Sequence, residues 1–304
     1  MASPQTLLDV LRSHSKVDCD TFDHEVARDL GPFVDCTSNQ AIAYGELARL
    51  DADGGALHAD LISSAVAYAQ SHRAQHEGVG LAEFAVEAMM VKLALRIVAI
   101  FKDLDPKHDA KRVCIKIPAT WEGMQACREL EKQGIATLAT TMFCLEQAAL
   151  ASHAGCTYIA PYINELRVHF DETYVDENKA FAFCGAAQRY YEKTGSRTQV
   201  LPASLTSIQE VMMLAGAHHI TVSPPLLKKL AETPANPWEG DTGSVFQKSE
   251  SSFADYSTIV EDEGAWRLAF TRSAEGKSEG KIIQAINIFC ERQEKLEELV
   301  SAQK

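Results

Sequence analysis

Val113-Cys114-Ile115-Lys116-Ile117-Pro118-Ala119-Thr120-Trp121 is an apolar, β-branched run that contains one amine. Runs of this kind suit strands of a parallel sheet buried on both faces. Thr120 is placed to cap a following helix, Met124, Cys127 and Leu130 mark one helical face, and Gly134 is placed to end it. The reading is strand, short loop, helix, with Lys116 just before the loop. An unpaired ammonium among Val, Ile and Pro is costly to desolvate, and burial favours the neutral amine. A neutral lysine amine attacks carbonyl carbon to form a Schiff base, so this placement points to covalent chemistry on a ketone or aldehyde. The window alone equally fits a lysine lying along the strand edge with its amine in solvent.

Working outward, short apolar runs alternate with helical patterns over most of the chain. Candidate strands lie near 16–20, 32–37, 79–84, 112–118, 135–143, 157–162, 198–204 and 218–223. Eight strands with helices between them in 304 residues predict an α/β fold. The expected form is a (β/α)8 TIM barrel with extra helices, one domain over 1–304, whose site lies at the carboxyl ends of the strands. A polar stretch from about 233 to 252, with Pro234, Pro237, Gly240 and Gly243, breaks the periodicity before a helical tail from about 253 to 304. In that tail Ile282, Ile283, Ile286, Phe289, Leu296 and Leu299 recur at near-helical spacing, which predicts a helix packed on the barrel exterior.

Composition narrows the partners. The chain is 46% hydrophobic, enough for a sizeable core, and 29 basic against 42 acidic residues leave a formal charge of −13. With no compensating basic patch, that charge disfavours nucleic acid and anionic membranes and leaves a small molecule as the expected partner. The eight cysteines fall mostly in apolar runs and form neither a C-x-x-C pair nor a cluster with zinc-ligand spacing. They read as small core residues of a reducing compartment. Met1 to Lys16 has no apolar core of a signal peptide, and no stretch approaches the roughly 18 uninterrupted apolar residues of a membrane span. The expected location is cytoplasmic.

The run Lys116-Ile117-Pro118-Ala119-Thr120-Trp121-Glu122-Gly123, followed by Glu129-Leu130-Glu131-Lys132-Gln133-Gly134-Ile135, resembles the lysine strand and following helix of transaldolases. Further pieces follow in the same order: Cys19-Asp20-Thr21, Asp35-Cys36-Thr37-Ser38-Asn39, Ala82-Glu83 and Phe143-Cys144-Leu145-Glu146-Gln147-Ala148. Pro202-Ala203-Ser204 and Val222-Ser223-Pro224 with Leu226-Leu227 carry the likeness to about Leu230. The resemblance implies a (β/α)8 barrel that moves a three-carbon dihydroxyacetone unit between sugar phosphates through a lysine Schiff base. It implies that Lys116 is that lysine and that Asp20 is the acid/base of carbon-carbon cleavage. It further implies that Glu83 and Thr140 handle the water of dehydration and that Asn39 binds substrate hydroxyls. Thr37 and Tyr162 fall on the implied substrate wall. No metal or organic cofactor is implied, and a homodimer is a family habit. Taken singly, Asp20 fits an Asx turn, Glu83 a helix start, and Thr140 and Asn39 ordinary strand and turn residues.

The departures are specific. Leu138 stands where transaldolases carry an asparagine that binds substrate, and Ala160 replaces a serine. Glu165 and Thr206 stand where two arginines grip the substrate phosphate, while Ser204 is kept. Losing both guanidinium groups removes bidentate contacts, and a carboxylate repels a phosphate dianion. Arg167, two residues past Glu165, is a candidate substitute, and His218 and His219 are candidates for ligand contact or for a solvent-facing loop. The leading expectation is a transaldolase-like Schiff-base enzyme of aldol-type carbon-carbon cleavage, formation or transfer, acting on a non-standard, non-phosphorylated carbonyl substrate. The alternatives are an ordinary pentose phosphate pathway transaldolase and a non-catalytic barrel that serves as a binding protein.

Overall fold

The first unit of the fold is built from parallel ladders. The computed structural model describes residues 5–72, 114–132, 134–238, 240, 243–247 and 252–302. In chain order the elements begin α1 (Leu7–His14), β1 (Lys16–Cys19), α2 (His24–Leu30), α3 (Gln40–Leu47) and α4 (Ala59–His72). They continue β2 (Cys114–Pro118), α5 (Trp121–Lys132), β3 (Ala136–Met142), α6 (Leu145–Ala154), β4 (Tyr158–Pro161), α7 (Phe181–Thr194) and β5 (Gln199–Val200). The last are α8 (Ile208–Met213), β6 (His219–Val222), α9 (Pro224–Glu232), α10 (Glu263–Arg272) and α11 (Lys277–Ser301). Met1–Asp20, Val26–Thr37 and Val113–Ile286 form one compact unit; Thr21–Glu25, Ser38–Arg112 and Asn287–Lys304 form another.

In the first unit β2, β3, β4 and β5 pair side by side, all parallel. Separately β1 pairs in parallel with β6, Asp18 opposite Thr221. The segment 34–37 runs along the other side of β1, where Cys36 bridges Cys19, Cys19 N donates to Asp35 O (3.0 Å) and Thr37 N donates to Cys19 O (2.9 Å). Thr221 N donates to Pro202 O (3.3 Å) and so ties β6 to the chain just past β5. The order is therefore 34–37, β1, β6, β5, β4, β3, β2. A (β/α)8 barrel lays down its second, first, eighth, seventh, sixth, fifth and fourth strands in this sequence. The strand expected near 79–84 lies outside the described residues.

Local chemistry explains where the elements stop. Gly123 N donates to Thr120 Oγ1 (3.0 Å), which caps α5, and Met124 and Cys127 are its buried face. A Cβ on Gly123 would lie 2.1 Å from Pro118 O, so only glycine lets the helix start this close to the lysine strand. Gly134 ends α5 at φ +77°, as its position predicted. The run 198–204 gives a two-residue strand, but its pairing with β4 continues past it, Leu201 N donating to Ile159 O and Ala203 N to Pro161 O (both 2.9 Å), until Ser204 turns the chain at φ 61°. The ladder between β3 and β4 shifts register between Ala139 and Met142, where Thr141 has φ 56°. Non-glycine residues in this region cost on the order of 1 kcal/mol each, and both stand at the carboxyl ends of strands.

In the second unit Ala43, Leu47, Ile62, Ala65, Val66, Leu296 and Val300 form a buried cluster flanked by Phe22, Tyr44, Leu61 and Leu299. The far end of α11 thus packs with α3 and α4. Ile283, read as part of the same stripe, is 53% exposed. No helix among the described residues is long and apolar enough to cross a membrane.

Candidate active site

Lys116 sits on β2 opposite Leu138 of β3, and its Nζ lies 5.7 Å from the centre of the Tyr162 ring. It is half-buried and has no hydrogen-bond or ion-pair partner among the described residues. Leu138, Ala160 and Tyr162 are buried, and Phe143 meets Tyr162 edge-on at 6.3 Å. The wall beside the amine is therefore apolar and aromatic, with a ring face that attracts a cation. Thr140, opposite Pro118, has a buried Oγ1 with no partner among the described residues. A buried hydroxyl left unpaired is costly unless a water or ligand satisfies it.

Gln147 holds this corner together, a role that no motif announced. Fully buried on α6, it donates from Nε2 to Ala119 O (3.0 Å) and Thr141 O (3.2 Å) and accepts at Oε1 from Phe143 N (2.8 Å). It links the loop after the lysine strand to the end of the strand that carries Thr140.

Asp20 follows β1 directly. Thr37 Oγ1 lies 2.5 Å from Asp20 Oδ1 and 2.5 Å from Thr221 Oγ1. A carboxylate only accepts, so the one proton of Thr37 goes to Asp20, and Thr221 must donate to Thr37. The carboxylate is thereby oriented by the Thr37 hydroxyl, which Thr221 fixes in turn. An amine, an oriented carboxylate and an unpaired buried hydroxyl are the groups that carbinolamine formation and proton transfer at carbon need.

The loops after β4 and β5 differ in character. Glu165 is 8% exposed; its N donates to Asp176 Oδ2 (2.8 Å) and its Oε2 accepts from Gln284 Nε2 (2.9 Å) of α11. Lys281, also on α11, donates to Asp176 Oδ2 and Asn178 O, both at 2.7 Å. Arg167 turns away from the role of substitute: it pairs with Asp171 (2.7 Å) and stacks over the Tyr174 ring at 4.4 Å. Glu210 is a buried hub that accepts from Lys179 Nζ (2.6 Å), Asn164 Nδ2 (3.0 Å) and Thr206 N (2.7 Å). Thr206 Oγ1 adds a bond of 3.1 Å to the same carboxylate. Ser204 Oγ lies 2.9 Å from His169 Nε2, a residue that sequence reasoning passed over because Leu166-Arg167-Val168-His169 forms no motif.

Burial raises the Asp176 pKa, but the Lys281 ammonium and the Glu165 and Asn178 amides outweigh it and hold the group below the usual 3.8. Asp176→Ala is expected to cost about 3 to 5 kcal/mol in urea unfolding, because it strands a buried ammonium; Lys281→Met in the same chain restores part of it. The folded pKa is depressed, so this stability is present above pH 3.8 and is lost as pH falls through the folded value. The gap between wild type and variant should close there.

The sequence profile described as transaldolase/fructose-6-phosphate aldolase matches residues 17–300. This chain belongs to that family. It is 29% identical to a transaldolase of Alteromonas mediterranea over 94% of this chain and 95% of the relative. It is 28% identical to one of Xanthomonas campestris pv. campestris over 99% and 98%. A transaldolase of Chlamydia felis is 34% identical over 60% of this chain and 55% of its own. Transaldolase-family members are (β/α)8-barrel enzymes, and their aldolase-type chemistry accords with the partial barrel traced above.

Within this transaldolase-family chain the remaining expected site residues fall as follows. Glu83 lies outside the described residues. Asn39 caps α3, its Oδ1 accepting from Ala41 N (2.9 Å) and Ile42 N (3.0 Å). His218 and His219 are not at the carboxyl ends of the strands. His218 Nδ1 accepts from Val200 N (3.1 Å), and the buried His219 has Nδ1 2.9 Å from Asp18 Oδ2. A cavity of about 340 Å³ lined by Lys16, Arg197, Gln199 and His218 opens at the starts of β1, β5 and β6, the end opposite Lys116 and Asp20.

Proposed function

We propose that this protein is a Schiff-base enzyme of aldol type whose carbonyl substrate carries no phosphate. The Lys116 amine adds to the carbonyl carbon, the carbinolamine loses water, and the iminium takes up the electron pair of the breaking carbon-carbon bond. Asp20 removes the proton of the hydroxyl that becomes the departing carbonyl, and Thr140 with Glu83 handles the water of dehydration. Tyr162 offers its ring to the positive charge that develops on the nitrogen. The eight cysteines, all free, suit a cytoplasmic setting.

One observation carries the non-phosphorylated reading. Between β4 and α7 the cations are Arg167 and Lys179, and each is already paired, with Asp171 and Glu210; Lys281 of α11 is held by Asp176. With Glu165 in the same loops, a phosphate dianion meets neutralised cations and a carboxylate. A second reading, dihydroxyacetone transfer between sugar phosphates, is favoured by the relatives, which are named transaldolase and match nearly full length.

Rates with fructose 6-phosphate and erythrose 4-phosphate, against dihydroxyacetone and unphosphorylated erythrose, separate the two. Two lost charge-assisted contacts of about 1.5 to 3 kcal/mol each predict that the usual phosphate advantage shrinks by about 10²- to 10⁴-fold. A phosphate-ester kcat/KM that exceeds the unphosphorylated one by roughly 10²-fold or more would establish the ordinary transaldolase instead.

A further inference from the structure

We propose that His169 is a substrate-contacting residue which, paired with Ser204, grips an uncharged hydroxyl at the far end of a polyhydroxy aldehyde or ketone. This deepens the non-phosphorylated reading and rests on it for the identity of the reacting end. His169 closes the 3₁₀ turn Leu166–His169 after β4, and Ser204 follows β5, so both stand at the carboxyl ends of neighbouring staves, as Lys116 and Asp20 do. His169 is an exposed residue, and its Nε2 lies 2.9 Å from Ser204 Oγ.

Ser204 is built into place. Its left-handed backbone (φ 61°) is held through its carbonyl, which accepts from Asn164 N (3.2 Å) and Asn164 Nδ2 (2.8 Å), and Asn164 is fixed in turn by Glu210. A strained serine anchored from behind, whose hydroxyl meets only the exposed His169 among the described residues, is characteristic of a functional position. Together the hydroxyl and the imidazole present one donor and one acceptor without fixed charge, which matches the donor and lone pairs of an alcohol. Partial desolvation lowers the His169 pKa against the pull of Asp20 and Glu210, which favours the uncharged ring beside Ser204.

Erythritol, which has no carbonyl, tests the grip apart from the chemistry. In a titration of the wild-type protein, the imidazole resonances of His169, assigned by their absence in His169→Gln, are expected to move saturably. Ser204→Ala is expected to weaken that binding by about three- to tenfold, the scale of one neutral hydrogen bond. Lys116→Met should bind erythritol as wild type does. Unmoved His169 resonances, an equal response to 1-butanol, or an unchanged affinity in Ser204→Ala would overturn the proposal. Absence of a reductively trapped adduct on Lys116 with erythritol binding intact would overturn the Schiff-base reading and leave the grip standing.

Discussion

Lys116→Met is expected to lower kcat by about 10⁴-fold or more, the scale of removing a covalent nucleophile, while leaving the fold in place. Borohydride added with dihydroxyacetone should reduce the iminium to a secondary amine and leave a three-carbon adduct on Lys116 of the wild type. The variant should show none. Methionine keeps the unbranched stem beside Leu138 and Tyr162, and the amine it removes has no hydrogen-bond or ion-pair partner among the described residues. Unfolding free energy should therefore move by no more than about 1 kcal/mol. Loss of activity at constant stability is the signature of chemistry and not of packing. A wild-type protein that turns substrate over yet gives no adduct, or a variant that retains activity, would remove Lys116 from the mechanism.

Asp20→Asn is expected to lower kcat by about 10²- to 10⁴-fold, the contribution of a positioned acid/base group, through a different step. Asparagine keeps the size of the side chain and an oxygen to accept from Thr37, so the chain from Thr221 through Thr37 survives. What it loses is the ability to take a proton from the substrate hydroxyl. Condensation with Lys116 can still proceed, so a ketose that cannot be cleaved should accumulate as its iminium. Borohydride should then trap the intact carbon skeleton on Lys116 in the variant, in greater yield than in wild type. Turnover within about tenfold of wild type would show that another group moves this proton.

The strand and helix around Lys116 were legible because local chemistry decides them. β-branched residues on both sides of the amine, Thr120 at the cap and Gly134 at the stop act over distances of a few residues. The alternation of apolar runs and helical patterns likewise placed β1, β3, β4 and β6. The run 198–204 keeps its pairing with β4 as far as Ala203, but its hydrophobicity says nothing about the left-handed turn at Ser204. The far end of α11 showed that it would bury a face, but not that α3 and α4 supply the partner.

The site divides in the same way. Lys116 stood out by its setting, and Asp20 and Thr140 through the roles that the family resemblance implies. The roles of Gln147, Glu210 and His169 were not legible, because each acquires its meaning from partners brought close only by folding: Gln147 meets Ala119, Glu210 meets Asn164 and Lys179, and His169 meets Ser204. Arg167 illustrates the converse, a cation at a suggestive spacing that the turn after β4 delivers to Asp171 and Tyr174. By itself the sequence determined the barrel pattern, the amine and the change of residue types at the phosphate positions, since these follow from local periodicity and side-chain chemistry. Only the tertiary structure decided that the neighbouring cations are already neutralised and that Ser204 and His169 meet at 2.9 Å, because pairing across loops depends on distance in space, which residue spacing along the chain does not encode.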